Sequence, residues 1–306
     1  MAPRHFQAVS DTGNRLVAAV DPHDAVGVLD RYSFDVRFFT EIERFDRHLE
    51  KLRRGPDADR VHYVSICSPN YLHDAHIRLA LRVGAHAICE KPLVINPWNL
   101  DALQELEQET GGRVHTVLQL RLHPKLTALR QSLQGEAGAR VHEVCLTYVT
   151  ARGRWYDVSW KGSDERSGGI VTNIGIHFFD LLVWLFGEAA GYEVHVRDRR
   201  RIGGFLDLKR ARVRWLLSTD IADLPRETGA GLKKTTFRSL TVDGDELEFS
   251  DGFGNLHTRV YEEVLAGRGF GIDESRPAID LSYRIREAPA IVVPEHLHPM
   301  LGTARS

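Results

Sequence analysis

The sequence predicts an α/β protein in two parts: a doubly wound parallel sheet, then an α+β domain built on an open, mostly antiparallel sheet. Three observations carry this. Over roughly the first 120 residues, short apolar runs alternate with amphipathic segments of helical period. Beyond residue 140, strand-like runs cluster with few helices between them. The chain also begins with helical rather than strand-like sequence, so the first strand and its glycine turn are expected to be absent from it. At 306 residues there is chain enough for two domains, each with its own core.

The elements follow in order. Residues 3–10 read as a helix, with Pro3 near its first turn and Asp11-Thr12-Gly13 at its end. Strands are expected over 16–20 and 36–39, and a helix over 41–53 with Ile42, Phe45, Leu49 and Leu52 on one face. A strand over 61–67 leads through Ser68-Pro69-Asn70 into a helix over 71–83. Another strand over 85–89 is followed by a helix over 97–110, which has Pro97 at its first turn and Gly111-Gly112 beyond its end. A fifth strand covers 114–119. Strand and helix alternating at this spacing imply parallel strands with helices on both faces.

The boundary is expected near Arg121 to Pro124, giving a first domain over 1–122 and a second over 123–286. The second domain should hold a long strand over 141–150 and a helix over 170–186. Strands then follow over 192–196, 211–218 and 235–242, the last ending in the hairpin turn Asp243-Gly244-Asp245. Residues 287–306, with Pro294, Pro299 and several histidines, read as a loosely ordered tail.

Composition narrows the function classes. A net charge of −2 lacks the basic excess of a nucleic-acid surface, so no nucleic-acid partner is expected. No apolar run approaches the roughly 20 residues that span a bilayer, and the first residues show no apolar leader segment. A cytoplasmic protein without a membrane partner is therefore expected. Cys67, Cys89 and Cys145 lie in apolar stretches without metal-ligand spacing, which reads as reduced thiols and no metal site.

A dinucleotide-binding sheet opens with a strand, a G-x-G-x-x-G turn and a helix. Here the helix comes first. Gly229-Ala230-Gly231 and Gly252-Phe253-Gly254 sit in loop contexts and do not replace that turn. Either the native start lies upstream of Met1, or the chain is a variant. In both cases the backbone N–H cradle for a pyrophosphate is missing, and weak cofactor binding or poor folding is expected.

Four groups of residues carry chemistry. Asp21 ends the strand expected over 16–20, where a carboxylate suits adenosine ribose hydroxyls and repels a 2′-phosphate; it also suits a simple turn before Pro22. The turn Ser68-Pro69-Asn70, with His73 beyond it, leaves the carboxyl end of a strand, where ligands of such sheets lie; Asn70 could equally cap the next helix. Glu90-Lys91-Pro92 puts an ion pair at the end of a buried strand, a poor choice for packing alone. Finally, Gly168-Gly169 precede Asn173, His177 and Asp180, spaced i, i+4 and i+7 and so sharing a helix face; the glycines would let a substrate come close to the backbone.

Glu-Lys-Pro after a strand and Gly-Gly-x-x-x-Asn-x-Gly-x-His-x-x-Asp later resemble the glucose–fructose oxidoreductase and inositol dehydrogenase family, Gfo/Idh/MocA. Within it the chain is most similar to the bacterial dehydrogenases of UDP-N-acetyl-2-amino-2-deoxyglucuronate. Further matching residues are Leu118 to Pro124, Arg152 to Tyr156, Ser159 to Gly162 and Ala211 to Trp215, and the resemblance spans residues 2–286. It implies a Rossmann-like cofactor domain, NAD as cofactor, and oxidation of the C3 hydroxyl of a UDP-linked amino-sugar acid for surface polysaccharide. It also implies a homotetramer. Lys91 and His177 match the family's catalytic pair. Cofactor contacts are expected at Asp21, Ser68, Pro69, Asn70, His73, Glu90, Lys91 and Gln119. Asn173 stands where many wider-family members carry Asp, and it matches the narrower subgroup.

Histidine's ordinary pKa suits a base at neutral pH, so His177 is expected to accept the hydroxyl proton, with Lys91 orienting the oxygen. An anionic substrate calls for cations, and Arg152, Arg154 and Lys161 are the candidates beside Lys91, Asn173 and His177. Two alternatives stay open: a dehydrogenase of another sugar or cyclitol, and a non-catalytic nucleotide-sugar-binding relative.

Overall fold

The structure is a computed structural model that describes residues 1–306 except 25–26, 137–139, 226–234, 248, 250–251 and 303–306. Of the two loop glycine pairs, Gly229-Ala230-Gly231 lies outside the described residues.

Helix α1 (Ala2–Asp11) comes first, with Pro3 in its opening turn, where a missing N–H breaks no helical bond. There follow β1 (Ala18–Val20), β2 (Arg37–Phe39), α2 (Ile42–Arg53), β3 (Tyr63–Ile66), α3 (His73–Arg82), β4 (His86–Cys89), α4 (Trp98–Thr110) and β5 (Val114–Thr116). Every pairing among these strands is parallel. They form two sheets, β1-β2 and β3-β4-β5, rather than one. The break falls where the doubly wound order places its first strand. An apolar cluster bridges it: Phe45 and Leu49 of α2 pack with Leu79 and Val83, and with Ala18, Val20 and Val64 of the two sheets.

The second part opens with α5 (Pro124–Gly135), a helix the sequence reading omits, then β6 (His142–Thr150) and two short helices, α6 (Arg154–Val158) and α7 (Asp164–Ser167). After a π-helical turn over Val171–Gly175 come α8 (Ile176–Phe186), β7 (Ala189–Arg197), β8 (Arg201–Leu208), β9 (Ala211–Ser218), β10 (Thr236–Val242) and β11 (Asp245–Glu246). The sheet order is β11-β10-β6-β9-β8-β7, antiparallel throughout except for the β6–β9 pair. Strand β8 is absent from the sequence reading. Gly204 is needed where it stands: a Cβ there would lie 1.9 Å from the Glu193 carbonyl, beside the bulge between Val194 and Val196.

One face of this sheet packs on α8, which is apolar almost all round. Phe179 meets Trp215 edge-on at 5.2 Å, and both are fully buried, each contributing about 2–3 kcal/mol of apolar burial. The helical stretch Asp164–Phe186 is long and apolar enough to cross a membrane, a length the sequence reading overlooks, but 72% of its apolar window is buried as the core helix of this sheet.

Helices α9 (Leu256–Leu265) and α10 (Ile272–Glu287) carry the chain back onto the first part. Thr258 bonds Asp11, and Ser275 bonds Thr116. A division after residue 122 is therefore not a clean cut. The tail also departs from expectation, because it is anchored rather than loose. Ile291 N–H donates to the Val194 carbonyl at 2.7 Å, His296 stacks on Phe205 at 4.0 Å, and His298 is buried against Thr147.

Candidate active site

The register of the three-stranded sheet sets the site's position. Ile66, Cys89 and Thr116 pair side by side, so the segments after them leave from one edge. Those segments are Ser68-Pro69-Asn70, Glu90-Lys91 and the turn Gln119–Leu122. Asp21 leaves the carboxyl end of β1 in the same sense. A dinucleotide lying across the carboxyl ends of parallel strands requires this placement, so the residues present fit NAD.

Lys91 points across to the second part. Its Nζ donates to the main-chain carbonyl of Asn173 at 2.9 Å. That carbonyl belongs to the π-helical turn, a widened coil of a kind that often marks functional sites. Burial, with Lys161 adding to it, lowers the Lys91 pKa to about 8; the Glu90 carboxylate opposes the shift.

His177 follows two residues past the π-turn. No hydrogen bond from its ring is formed among the described residues, and its ring is not sealed off. Burial and then the Lys91 charge hold it well below the usual histidine range, so it is neutral at physiological pH.

Around this pair the polar groups interlock. Asn173 donates to the Tyr156 hydroxyl at 3.2 Å, and Asn70 donates to the Ser167 carbonyl at 2.9 Å and to Asn173 Oδ1 at 3.4 Å. Lys161 lies over the rings of Trp155 and Trp160, each 5.5 Å from its Nζ. Arg152 and Arg154 are exposed on the same loop.

Glu90 turns toward α1 and α9. Its Oε1 accepts from His5 Nε2 and from His257 Nε2, both at 3.0 Å, and His5 Nδ1 lies 2.8 Å from the Tyr261 hydroxyl. These three groups are buried, and their ligand-type atoms fall within 4.8 Å of one another, the geometry of a potential cation site that the cysteine spacings gave no sign of. The shared hydrogen bonds account for the cluster, and they hold the Glu90 carboxyl well below the usual range although burial pulls it upward.

Several expected site residues take other positions. His73 is buried and turns inward, with Nδ1 2.7 Å from the Pro92 carbonyl and Nε2 2.9 Å from the Ser68 carbonyl, so it braces the Lys91-Pro92 turn. Asn70 is likewise buried and spent on Ser167 and Asn173. Asp21 makes the turn weighed for it, its carboxylate accepting from His23 N–H at 2.8 Å, and it remains exposed at the end of β1. Gln119 is buried with Oε1 sealed and without a partner among the described residues.

Asp180 does not join His177. It forms a two-pronged ion pair with Arg121, at 3.0 and 2.6 Å, and Arg121 also donates to the Glu274 carbonyl. Nor do the glycines open a path for substrate. Gly168 and Gly169 adopt φ of +77° and +68°, and Cβ atoms on them would meet Thr172 at 2.4 Å and Asp164 at 2.6 Å. They are there for a left-handed turn in a crowded place. Of the three free thiols, Cys89 is buried and the others half-buried, and burial pushes Cys67 up to about 12.

Sequence reasoning missed His5, His257, Tyr156 and Arg238 as site neighbours. Only Tyr156 carried a signal, as part of the Arg152 to Tyr156 motif.

Two family profiles match the chain. One, described as an oxidoreductase family with an NAD-binding Rossmann fold, covers residues 1–117; the other, the same family's C-terminal alpha/beta domain, covers residues 139–207. Among curated proteins, inositol 2-dehydrogenase of Rhizobium meliloti is 30% identical over 189 residues, 60% of this chain and 51% of that protein. D-glucoside 3-dehydrogenase of Escherichia coli is 29% identical over 144 residues, 46% of this chain and 40% of that protein. The chain thus spans about half the length, or less, of these curated relatives. Among solved structures, the WlbA (WbpB) dehydrogenase of Thermus thermophilus in complex with NAD and UDP-GlcNAcA is 51% identical. It superposes with a TM-score of 0.91 over 97% of this chain and 95% of that one. The same enzyme solved with NAD and alpha-ketoglutarate gives 0.92.

Proposed function

Since the chain belongs to the Gfo/Idh/MocA family of NAD-binding oxidoreductases, we propose that it is an NAD-dependent dehydrogenase that oxidises the C3 hydroxyl of UDP-N-acetylglucosaminuronic acid to the 3-keto sugar. The observation that carries this reading is the 51% identity, over nearly the whole chain, to a dehydrogenase solved with NAD and UDP-GlcNAcA. The juxtaposition of Lys91, Asn173 and His177 supports it independently.

NAD, when bound at the carboxyl ends of β1, β3, β4 and β5, supplies the hydride acceptor for C3. The chain's own groups manage the hydroxyl proton. Lys91 Nζ bonds the Asn173 carbonyl, and its charge bears on the His177 ring. The expectation from ordinary acidities makes His177 the base. The structure favours the reverse: neutral Lys91, with a pKa near 8, is the stronger proton acceptor at working pH, and His177, held neutral, orients the oxygen. Asn173, tied to Tyr156 and Asn70, fixes the carbonyl that holds Lys91 before substrate arrives. Exposed Arg152 and Arg154, and Lys161 over its two indoles, offer charge for the diphosphate.

Place and assembly follow from the same reading. A nucleotide-sugar substrate and NAD suit a cytoplasmic enzyme of bacterial surface-polysaccharide synthesis. The sheet face away from α8 is the surface through which a homotetramer would assemble, and neither nucleic acid nor membrane has a role.

The test is NADH formation from NAD with UDP-GlcNAcA, UDP-GlcNAc, myo-inositol and simple glucosides, with and without 2-oxoglutarate as hydride acceptor. Turnover confined to the UDP-linked acid is expected. Turnover of inositol or a glucoside alone would replace this reading with that of another sugar dehydrogenase.

A further inference from the structure

Arg238 stands near the start of β10, paired directly across from Tyr148 of β6, so the two side chains share a face of the sheet. It is the face that packs on α8, since the Tyr148 ring meets that of Phe178 at 4.7 Å, and Phe178 adjoins His177. The Arg238 guanidinium carbon lies 5.5 Å from the Tyr148 ring centre, 5.1 Å from Phe249 and 4.9 Å from Phe253. Three aromatic faces thus wall one cation.

No carboxylate meets it among the described residues, and its Nε is sealed from solvent without a hydrogen-bond partner. Aromatic faces attract a guanidinium, but they return less than the lost hydration of a half-buried charge. A cation kept in such a box, with no counter-anion among the described residues, is suited to an anion that arrives from outside. Through Tyr148 and Phe178 it lies on the His177 side of the sheet, and its charge bears on His177.

We infer that Arg238 is the specificity residue for the acid group of the substrate, receiving the hexuronate carboxylate on its guanidinium fork. A planar carboxylate matches that fork with two parallel hydrogen bonds, and the aromatic walls exclude competing water. The diphosphate, the substrate's other anion, has the separate group of Arg152, Arg154 and Lys161 to receive it. This inference rests on the proposed nucleotide-sugar reading and adds to it which residue tells an acid from a neutral sugar.

The experiment measures binding by calorimetry and turnover for UDP-GlcNAcA and for UDP-GlcNAc, which differ only at the acid group. It uses the full chain and its Arg238→Met and Arg238→Lys variants, with NAD binding and the melting temperature checked in each. In Arg238→Met, the KM and Kd for UDP-GlcNAcA are expected to rise tenfold or more while the Kd for UDP-GlcNAc stays unchanged. Arg238→Lys should recover part of the preference. Equal weakening of both sugars would assign Arg238 to the diphosphate, and an unchanged preference would remove it from the site; either overturns the inference alone. A wild-type chain that binds neither sugar, or prefers the neutral one, overturns the parent reading and this one with it.

Discussion

Lys91 Nζ lies 2.9 Å from the Asn173 carbonyl, so the end of a strand in the cofactor part is tied to the π-turn that opens the His177 helix. This single contact brings two motifs of the sequence, more than eighty residues apart, into one site.

The first prediction concerns the base. Lys91 titrates near 8, and His177 stays neutral throughout the physiological range. If Lys91 takes the proton it must be unprotonated, so kcat/KM should rise with pH through about 8. If His177 takes it, with Lys91 acting as ammonium, activity should instead fall over the same interval. A pH–rate profile decides. Lys91→Met and His177→Asn should each lower kcat by roughly 10²–10⁴-fold, and the Lys91 variant should also lose the rise near 8.

Cofactor choice should respond to Asp21. Its exposed carboxylate at the end of β1 would repel the 2′-phosphate of NADP. Removing that charge in Asp21→Ala is worth roughly 1–4 kcal/mol toward NADP, about a fivefold or larger change in the NADP/NAD ratio of kcat/KM. An unchanged ratio would leave Asp21 only its turn-forming bond to His23.

Asp180 should matter for folding and not for the pH dependence of the reaction. Asp180→Asn leaves the Arg121 guanidinium buried without its counter-charge, at a cost of roughly 3–5 kcal/mol. Urea unfolding should report that loss, while the shape of the pH–rate profile should match wild type.

The anchored tail gives a pH-dependent stability. His298 accepts from Met300 N–H on Nδ1 at 3.2 Å, so its Nε2 carries the proton and donates to the Thr147 hydroxyl at 2.9 Å. Burial lowers its pKa from 6.5 to about 4. A histidine depressed in the folded state stabilises fully above its unfolded pKa, and that contribution is lost as pH falls from 6.5 through about 4. Urea midpoints of wild type and His298→Gln should therefore differ most above pH 6.5 and converge toward pH 4. A constant difference across that range would show that His298 does not carry the effect.

Much of this was legible in local pattern. The period of Ile42, Phe45 and Leu49 set α2, Gly111 set the end of α4, and the apolar runs ending at Ile66 and Cys89 located the edge where Lys91 stands. Motif spacing singled out Lys91, Asn173 and His177, because chemistry at strand ends and helix starts leaves polar residues where packing would choose apolar ones. Sequence alone also determined the order of parallel strands and helices in the first part, since each element's period needs only its own residues.

The tertiary structure decided what depends on distant partners. Asp180 shares helical spacing with His177, yet it turns to Arg121 because only the fold brings that guanidinium beside it. Gly203-Gly204 lie in a strand because the bulged β7 leaves no room for a Cβ, a fact invisible in the residues of β8 themselves. The pKa values of Lys91 and His177 are both lowered from their ordinary values because burial penalises charge, and burial is a property of the assembled molecule. Arg238 had no local signature at all: its role arises from three aromatic rings that meet only once β6, β10 and the loop after β11 are packed together.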